Sequence, residues 1–319
     1  QGSLDRLRAR VSGVCGGGPN LGVTVITEPR RALHKENQFT ENSRIDVIRE
    51  PYSPANCQPM LLFLKRAFRE LLHVFYGLYA VIAFVVLSLA AFPLVLLPFN
   101  IATRRQIAHV TAHLFFKAAF IRVRLLDSSL LPEGPCVVVA NHASYLDGVV
   151  LKASLPARFC FVIKKEVSRI PIAGMLLRRI GSEFVDRFNR HAGAMDARRL
   201  LKAADAGQAL AFFPEGTFLA EPGVGKFHTG AFAIAARTKL PVVPVCIRGT
   251  RTILPSTRYL PRPGRIDIQV LPTIPMKDRD TPEAVAEARD LARARILAVA
   301  GEPDLLAARA PVRSDEVTG

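Results

Sequence analysis

The sequence predicts an α/β domain with a mixed, largely parallel sheet flanked by helices, preceded by a membrane-embedded helical segment. Three observations carry this expectation. Six short β-branched or aromatic runs alternate with helical patterns, an uncharged stretch lies upstream of them, and polar motifs recur where the predicted strands end.

Residues 1–60 are polar, punctuated by Gly, Pro and Asn, with eight Lys and Arg against six Asp and Glu. They read as a flexible arm or as the remnant of a longer chain. Residues 74–99 differ in kind, reading VFYGLYAVIAFVVLSLAAFPLVLLPF, 26 residues without a charge. As a helix they would reach about 39 Å, against a hydrocarbon core of roughly 30 Å. Lys65, Arg66 and Arg69 precede the stretch, and Arg104, Arg105 and Lys117 follow it. With both flanks basic, the positive-inside rule selects no orientation. The segment is either one tilted span or an in-and-out element bent near Pro93, and the second is favoured because it leaves both flanks on one anionic leaflet. The anchor is therefore set at 61–104, the α/β domain at 105–302 and a flexible tail at 303–319.

Strands are expected at 136–140, 159–163, 183–186, 209–213, 242–247 and 265–270, with helices at about 168–180, 193–206, 226–239 and 282–300. The chain carries 43 Lys and Arg against 27 Asp and Glu, a formal net charge of +16. Such a field favours phosphate ligands, acidic lipid or nucleic acid. Aromatic residues do not interleave with the basic runs as single-strand binding would require, so an anionic membrane surface is expected and nucleic acid is not. Cys15, Cys57, Cys136, Cys160 and Cys246 are scattered, without a CxxC pair or a histidine at ligand spacing. Neither a disulfide framework nor a metal site is expected; these are small buried hydrophobes.

Chemistry in such sheets gathers at the carboxyl ends of strands. The strand at 136–140 runs straight into Asn141-His142-Ala143-Ser144-Tyr145-Leu146-Asp147. One tight turn can fold a carboxylate five residues on back against the imidazole, fixing its tautomer as a general base requires. By itself this spacing also fits a structural histidine. Phe213-Pro214-Glu215-Gly216-Thr217 follows another strand, with a glycine for close approach and a carboxylate and hydroxyl for polyol contacts. Alone it is simply a turn. Residues 181–187 end on Arg187, a guanidinium suited to phosphate, and residues 243–249 form a further strand block.

In this order the four blocks resemble the glycerolipid acyltransferase family, of the 1-acylglycerol-3-phosphate acyltransferase type. The resemblance covers roughly residues 105–275. It rests above all on the NHxxxxD block at 141–147 paired with FPEGT at 213–217. It implies acyl transfer from acyl-CoA or acyl-carrier protein to a lysoglycerolipid hydroxyl, with 1-acyl-sn-glycerol-3-phosphate as the first acceptor to consider. His142 is then the base and Asp147 the group that orients it, while Asn141, Arg187, Glu215, Gly216 and Thr217 bind substrate. No cofactor or metal is implied, and no acyl-enzyme, so neither Ser144 nor a cysteine need be a nucleophile. The resemblance places the protein at the inner (cytoplasmic) membrane, its site facing the cytoplasm.

The chain departs from the family pattern at two places. FPEGT continues with Phe218 and Leu219 where lysophosphatidate-specific members continue with Arg and Ser, and His228 stands in a Phe-Lys-x-Gly-Ala block. Another lysophospholipid or a lyso-aminolipid is the alternative acceptor. A non-catalytic tethered binding protein and a thioester hydrolase are the readings from other classes.

Overall fold

The computed structural model describes residues 58–186, 190–218, 220–277 and 280–307. Of the arm expected over 1–60, only the last three residues are described, and they open the first helix. Arg187, Leu219 and residues 308–319 also lie outside the described residues.

Helix α1 (Gln58–Leu96) runs unbroken through Pro93. The chain reverses after it, and α2 (Ile101–Ala118) packs back along α1. The bend expected near Pro93 therefore falls a few residues later, where Asn100 caps α2 by accepting from the Thr103 N–H at 2.8 Å. Seven strands follow: β1 (Arg122–Leu126), β2 (Val137–Ala140), β3 (Cys160–Lys164), β4 (Glu183–Val185), β5 (Leu210–Phe212), β6 (Val242–Arg248) and β7 (Arg265–Val270). Between them lie α3 (Leu146–Ser154), α4 (Pro171–Arg179), α5 (Arg190–Asp205), α6 (Gly230–Arg237) and the short α7 (Thr250–Ile253). Helix α8 (Pro282–Ala300) closes the domain between a Thr281 cap and Gly301 at φ +68°.

The sheet order is β1-β7-β6-β2-β5-β3-β4, parallel at every pair except β6–β7. The expected mixed, largely parallel sheet is what forms. Its innermost strands β2 and β5 are apolar at every position because both faces are covered. Val138 and Ala140 of β2 face a core shared with α1, α2 and α3, while Val137 and Val139 face one shared with α6 and α8.

Sequence reading missed β1, α2 and α3. Arg122-Val-Arg-Leu-Leu sets two arginines in a short run, and α2 carries arginines and histidines among its apolar residues, so neither shows a clean apolar period. The boundary drawn at 104/105 consequently falls inside α2. The boundary drawn at 302/303 likewise cuts through packed chain, since Leu305 is buried and Asp304 pairs with Arg293 of α8.

Candidate active site

Two strand ends meet at the centre of the sheet. The connection leaving β2 passes through α3 on the face shared with α1 and α2, while that leaving β5 passes through α6 on the other. Neighbouring parallel strands whose connections diverge in this way open a crevice at their carboxyl ends. His142 follows β2 and Glu215 follows β5, so both stand at that crevice.

The histidine is held by its own turn. His142 Nδ1 lies 2.9 Å from Oδ2 of Asp147, which sits in the first turn of α3. The same Oδ2 accepts the Ala143 and Ser144 N–H groups at 2.6 and 2.8 Å. Asp147 is wholly buried, and its Oδ1 has no hydrogen-bond partner among the described residues. A carboxylate in this setting only accepts, so Nδ1 carries the hydrogen and Nε2 is left as the basic nitrogen. The imidazole, about one-fifth exposed, stacks on Phe213 at 4.3 Å between ring centroids and meets the ring of Phe218 edgewise at 4.7 Å.

Four of the other expected site residues are described, and two have duties inside the fold. Asn141 is buried, its amide donating to the Ile247 carbonyl at 2.9 Å and accepting the Ile247 N–H at 2.8 Å. It fastens the end of β2 to β6. Glu215 accepts the His142 N–H through Oε1 and the Gly225 N–H through Oε2, each at 2.8 Å. Burial pushes its carboxyl above the usual carboxylate range, while these two N–H groups pull it back. A Cβ at position 225 would stand 3.0 Å from Oε2, so glycine there lets the carboxylate in. Both residues tie the loop at 141–147 to its neighbours through these bonds. Gly216 takes φ +82° in the turn after Phe213, and Thr217 is exposed at the crevice. Arg187 lies outside the described residues.

The Ser144 hydroxyl is engaged within the fold, donating to the Leu254 carbonyl at 2.6 Å and accepting the Leu146 N–H. Cys136 and Cys246 are buried, and burial pushes their thiols up to about 11 and about 12. Sequence reasoning singled out Phe218 for a missing charge and did not see that its ring covers His142. Phe213 and Tyr145 went unnoticed as well; Tyr145 meets Phe218 edgewise at 4.7 Å while remaining 62% exposed. The available signal was Tyr145 inside the NHxxxxD block and Phe213 and Phe218 at either end of the FPEGT block. Beneath Phe213 and Gly216 lies a cavity of about 520 Å³, lined also by Val162, Leu200, His228 and Ile234.

The acyltransferase family model matches residues 122–248. A chloroplastic 1-acyl-sn-glycerol-3-phosphate acyltransferase of Brassica napus is 34% identical over 183 residues, covering 55% of this chain and 52% of that protein. The lyso-ornithine lipid O-acyltransferase of Pseudomonas aeruginosa is 30% identical over 218 residues, covering 62% of this chain and 79% of that one. The chain spans about half the length of the plant and algal relatives it matches. In fold, it is similar to the crystal structure of the 1-acyl-sn-glycerophosphate acyltransferase PlsC of Thermotoga maritima. That likeness has a TM-score of 0.59 at 24% identity, over 72% of this chain and 96% of that one.

Proposed function

The chain belongs to the acyltransferase family of glycerolipid enzymes, and on that premise we propose that it transfers a fatty acyl group from acyl-CoA or acyl-carrier protein to a lysoglycerolipid. The acceptor proposed is 1-acyl-sn-glycerol-3-phosphate and the product phosphatidate. The observation that carries this is the His142–Asp147 pair, its tautomer fixed by a buried carboxylate at the mouth of the central crevice. Nε2 takes the proton from the acceptor hydroxyl as its oxygen bonds to the thioester carbonyl carbon. The carbon–sulfur bond then breaks, and the imidazolium returns the proton to the leaving thiolate. Asp147 stabilises the imidazolium through Nδ1 without taking its proton. The apolar cavity beneath Phe213 offers room for an acyl chain.

A second acceptor, a lyso-aminolipid, is supported by the lip of the site. Phe218 covers His142 where a cation would serve a phosphomonoester, and similarity to the Pseudomonas aeruginosa enzyme extends over 79% of that protein.

The anchor supports delivery from one leaflet. Helix α1 is long and apolar enough to cross a membrane, yet it lies along the domain from Glu70, paired with Arg262, to Leu96, whose carbonyl accepts from Arg179. Between them, a Cβ at Gly77 would stand 2.7 Å from Leu260 Cβ. Contacts with the domain at Glu70, Gly77 and Leu96 spread over about 39 Å of helix, which favours an in-plane helix over a crossing one. Its outward face, from Leu78 and Ile82 to Leu89, is exposed and apolar, which suits embedding in the plane of the cytoplasmic leaflet with both basic flanks outside.

The test is thin-layer analysis of products from acyl-CoA and lysophosphatidate with the detergent-purified chain. Acylated lipid from the parent and none from a folded His142→Ala variant is the expected result. Free fatty acid would make the protein a hydrolase, and neither product from any lysolipid would make it a binding protein.

A further inference from the structure

Helix α4 has an apolar face that the fold leaves uncovered. Ile170, Ile172 and Met175 are 53%, 57% and 43% exposed, and Arg169, Arg178 and Arg179 flank them, all three exposed. The buried side of this helix is accounted for by close packing: a Cβ at Gly174 would collide with the Ser168 main chain, and the Arg178 guanidinium donates to the Ser168 carbonyl at 2.9 Å. Packing thus fixes which side of α4 points outward: that side carries Ile172 and Met175 with Arg178 and Arg179 among them, and Ile170 stands at the N-cap.

The location says what covers it. Helix α4 packs against α1, and Arg179 Nη2 donates to the Leu96 carbonyl at 3.1 Å, joining the end of α4 to the end of the apolar helix. Leu94, Leu97, Phe99 and Ile101 are exposed around that junction, so the apolar surface of α1 continues onto α4. The short turn Lys165–Arg169 that leads into α4 leaves the carboxyl end of β3, the sheet edge that bears His142. We propose that α4 is a second membrane-contacting element, its Ile170, Ile172 and Met175 face seated at the headgroup boundary of an anionic bilayer beside the end of α1. Three arginines around three large apolar side chains are the composition of an interfacial helix, with Glu166 the one acid on this rim among the described residues. The consequence is orientation: α1 keeps the protein on the leaflet, and α4 tips the catalytic edge toward it, where a lysolipid hydroxyl emerges. This inference rests on the in-plane reading of α1 given above.

The chain contains no tryptophan, so one introduced residue is a sole reporter. Ile172→Trp, Ile82→Trp on α1 and Leu291→Trp on α8 would each be made in the full chain and bound to vesicles of phosphatidylglycerol and phosphatidylcholine brominated along the acyl chain. Quenching of Ile172→Trp severalfold above Leu291→Trp, with a blue-shifted emission, is the expected result. If Ile82→Trp is quenched and Ile172→Trp is not, α4 stands off the membrane and this proposal alone fails. If neither is quenched, the in-plane reading of α1 fails with it. A blue shift at Ile172→Trp that follows protein concentration in lipid-free detergent would assign the face to a second copy and overturn the proposal. In a second measurement, Ile172→Glu with Met175→Glu should lower kcat/KM on vesicles by about tenfold, chiefly through KM. It should leave kcat in detergent micelles unchanged, and an equal loss in both would refute an interfacial role.

Discussion

The two loops that meet at the central crevice are built on opposite principles. Residues 141–147 are densely bonded: the Asn141 amide, the Ser144 hydroxyl, His142 Nδ1 and three N–H groups have partners within the fold, and Oδ2 of Asp147 accepts three of these bonds. Residues 214–218 are densely bonded only at their root, where Glu215 ties into His142 and Gly225. Beyond it, Thr217 is exposed and Phe218 makes ring contacts alone. Hydrogen bonds are directional and fix a reacting atom to a fraction of an ångström, whereas ring contacts tolerate sliding. The difference separates labour: the first loop holds the chemistry and the second adapts to the acceptor.

If that division holds, the largest effect belongs to the first loop. Asp147→Asn leaves the side chain its size but sets an amide against the Ala143 and Ser144 N–H groups. Whichever way it turns, Nδ1 of His142 loses a charged acceptor. The rate should fall by roughly two to four orders of magnitude, read as kcat in single-turnover assays. A loss below tenfold with the fold intact would break the comparison at its stronger side.

Glu215→Gln probes the joint between the loops. Glutamine can accept from the His142 N–H or the Gly225 N–H but not from both, since its second atom is a donor. The unpaired N–H and the slackened loop should lower kcat by about ten- to a hundredfold and stability by about 1–3 kcal/mol. Changes in KM should stay small, because the carboxylate faces main chain on both sides; a dominant rise in KM would return Glu215 to acceptor binding.

Legibility in the sequence follows the same division. Six of the seven strands could be read, the inner ones as apolar runs and β7 by its alternation; β1, an edge strand, has arginines at 122 and 124 and offers neither signal. The His142–Asp147 pair was legible because both partners lie within one turn of chain. Asn141 and Glu215 were visible as residues but not as struts: their partners, Ile247 and His142, lie 106 and 73 residues away. Nothing local in FPEGT says whether its carboxylate turns out to a substrate or back to the main chain. Helix α2 was missed because Arg105, although charged, is buried, donating to the carbonyls of Arg158, Ile180 and Gly181. A sequence pattern reads that residue as surface.

The far end of α3 gives a third measurement. Lys152 is buried above the Phe161 ring, and burial, with the neighbouring Arg105 charge, brings its ammonium down to about 8. His109 Nδ1 and Cys160 lie on the elements packed around it, His109 against the Lys152 carbonyl. The folded state thus holds this proton less tightly than the unfolded chain does. Its cost is present in full below about pH 8 and is relieved as pH rises from there toward the ordinary lysine range. Lys152→Met should raise stability at pH 7 by about 1–2 kcal/mol, with the gain shrinking near pH 10, as urea midpoints at both values would show. A gain independent of pH would come from packing and would exclude the charge as its cause. Activity should not change, because the densely bonded loop at the other end of the helix does not depend on it.

The smallest effect is expected at the adaptable lip, in selectivity rather than rate. A phosphomonoester carries close to two negative charges, and among the described residues the cations near this lip are few. Arg248 donates to the Val299 carbonyl at the end of α8, while Lys226 and His228 are exposed at the surface. Phe218→Arg would place a guanidinium where the ring now meets His142 and Tyr145. At so open a position the new ion pair is screened, so its gain is a fraction of the 1.5–3 kcal/mol that a charged hydrogen bond provides when buried. The ratio of kcat/KM for lysophosphatidate to that for a lyso-aminolipid should therefore rise by about three- to tenfold, with kcat for either acceptor nearly constant. If kcat collapses instead, the ring is needed to hold the imidazole, and the second loop shares the chemistry that the comparison gives to the first. If the parent already prefers lysophosphatidate by orders of magnitude, and Lys226→Ala removes that preference, the cation comes from the same lip by another residue. Phe218 would then be packing alone.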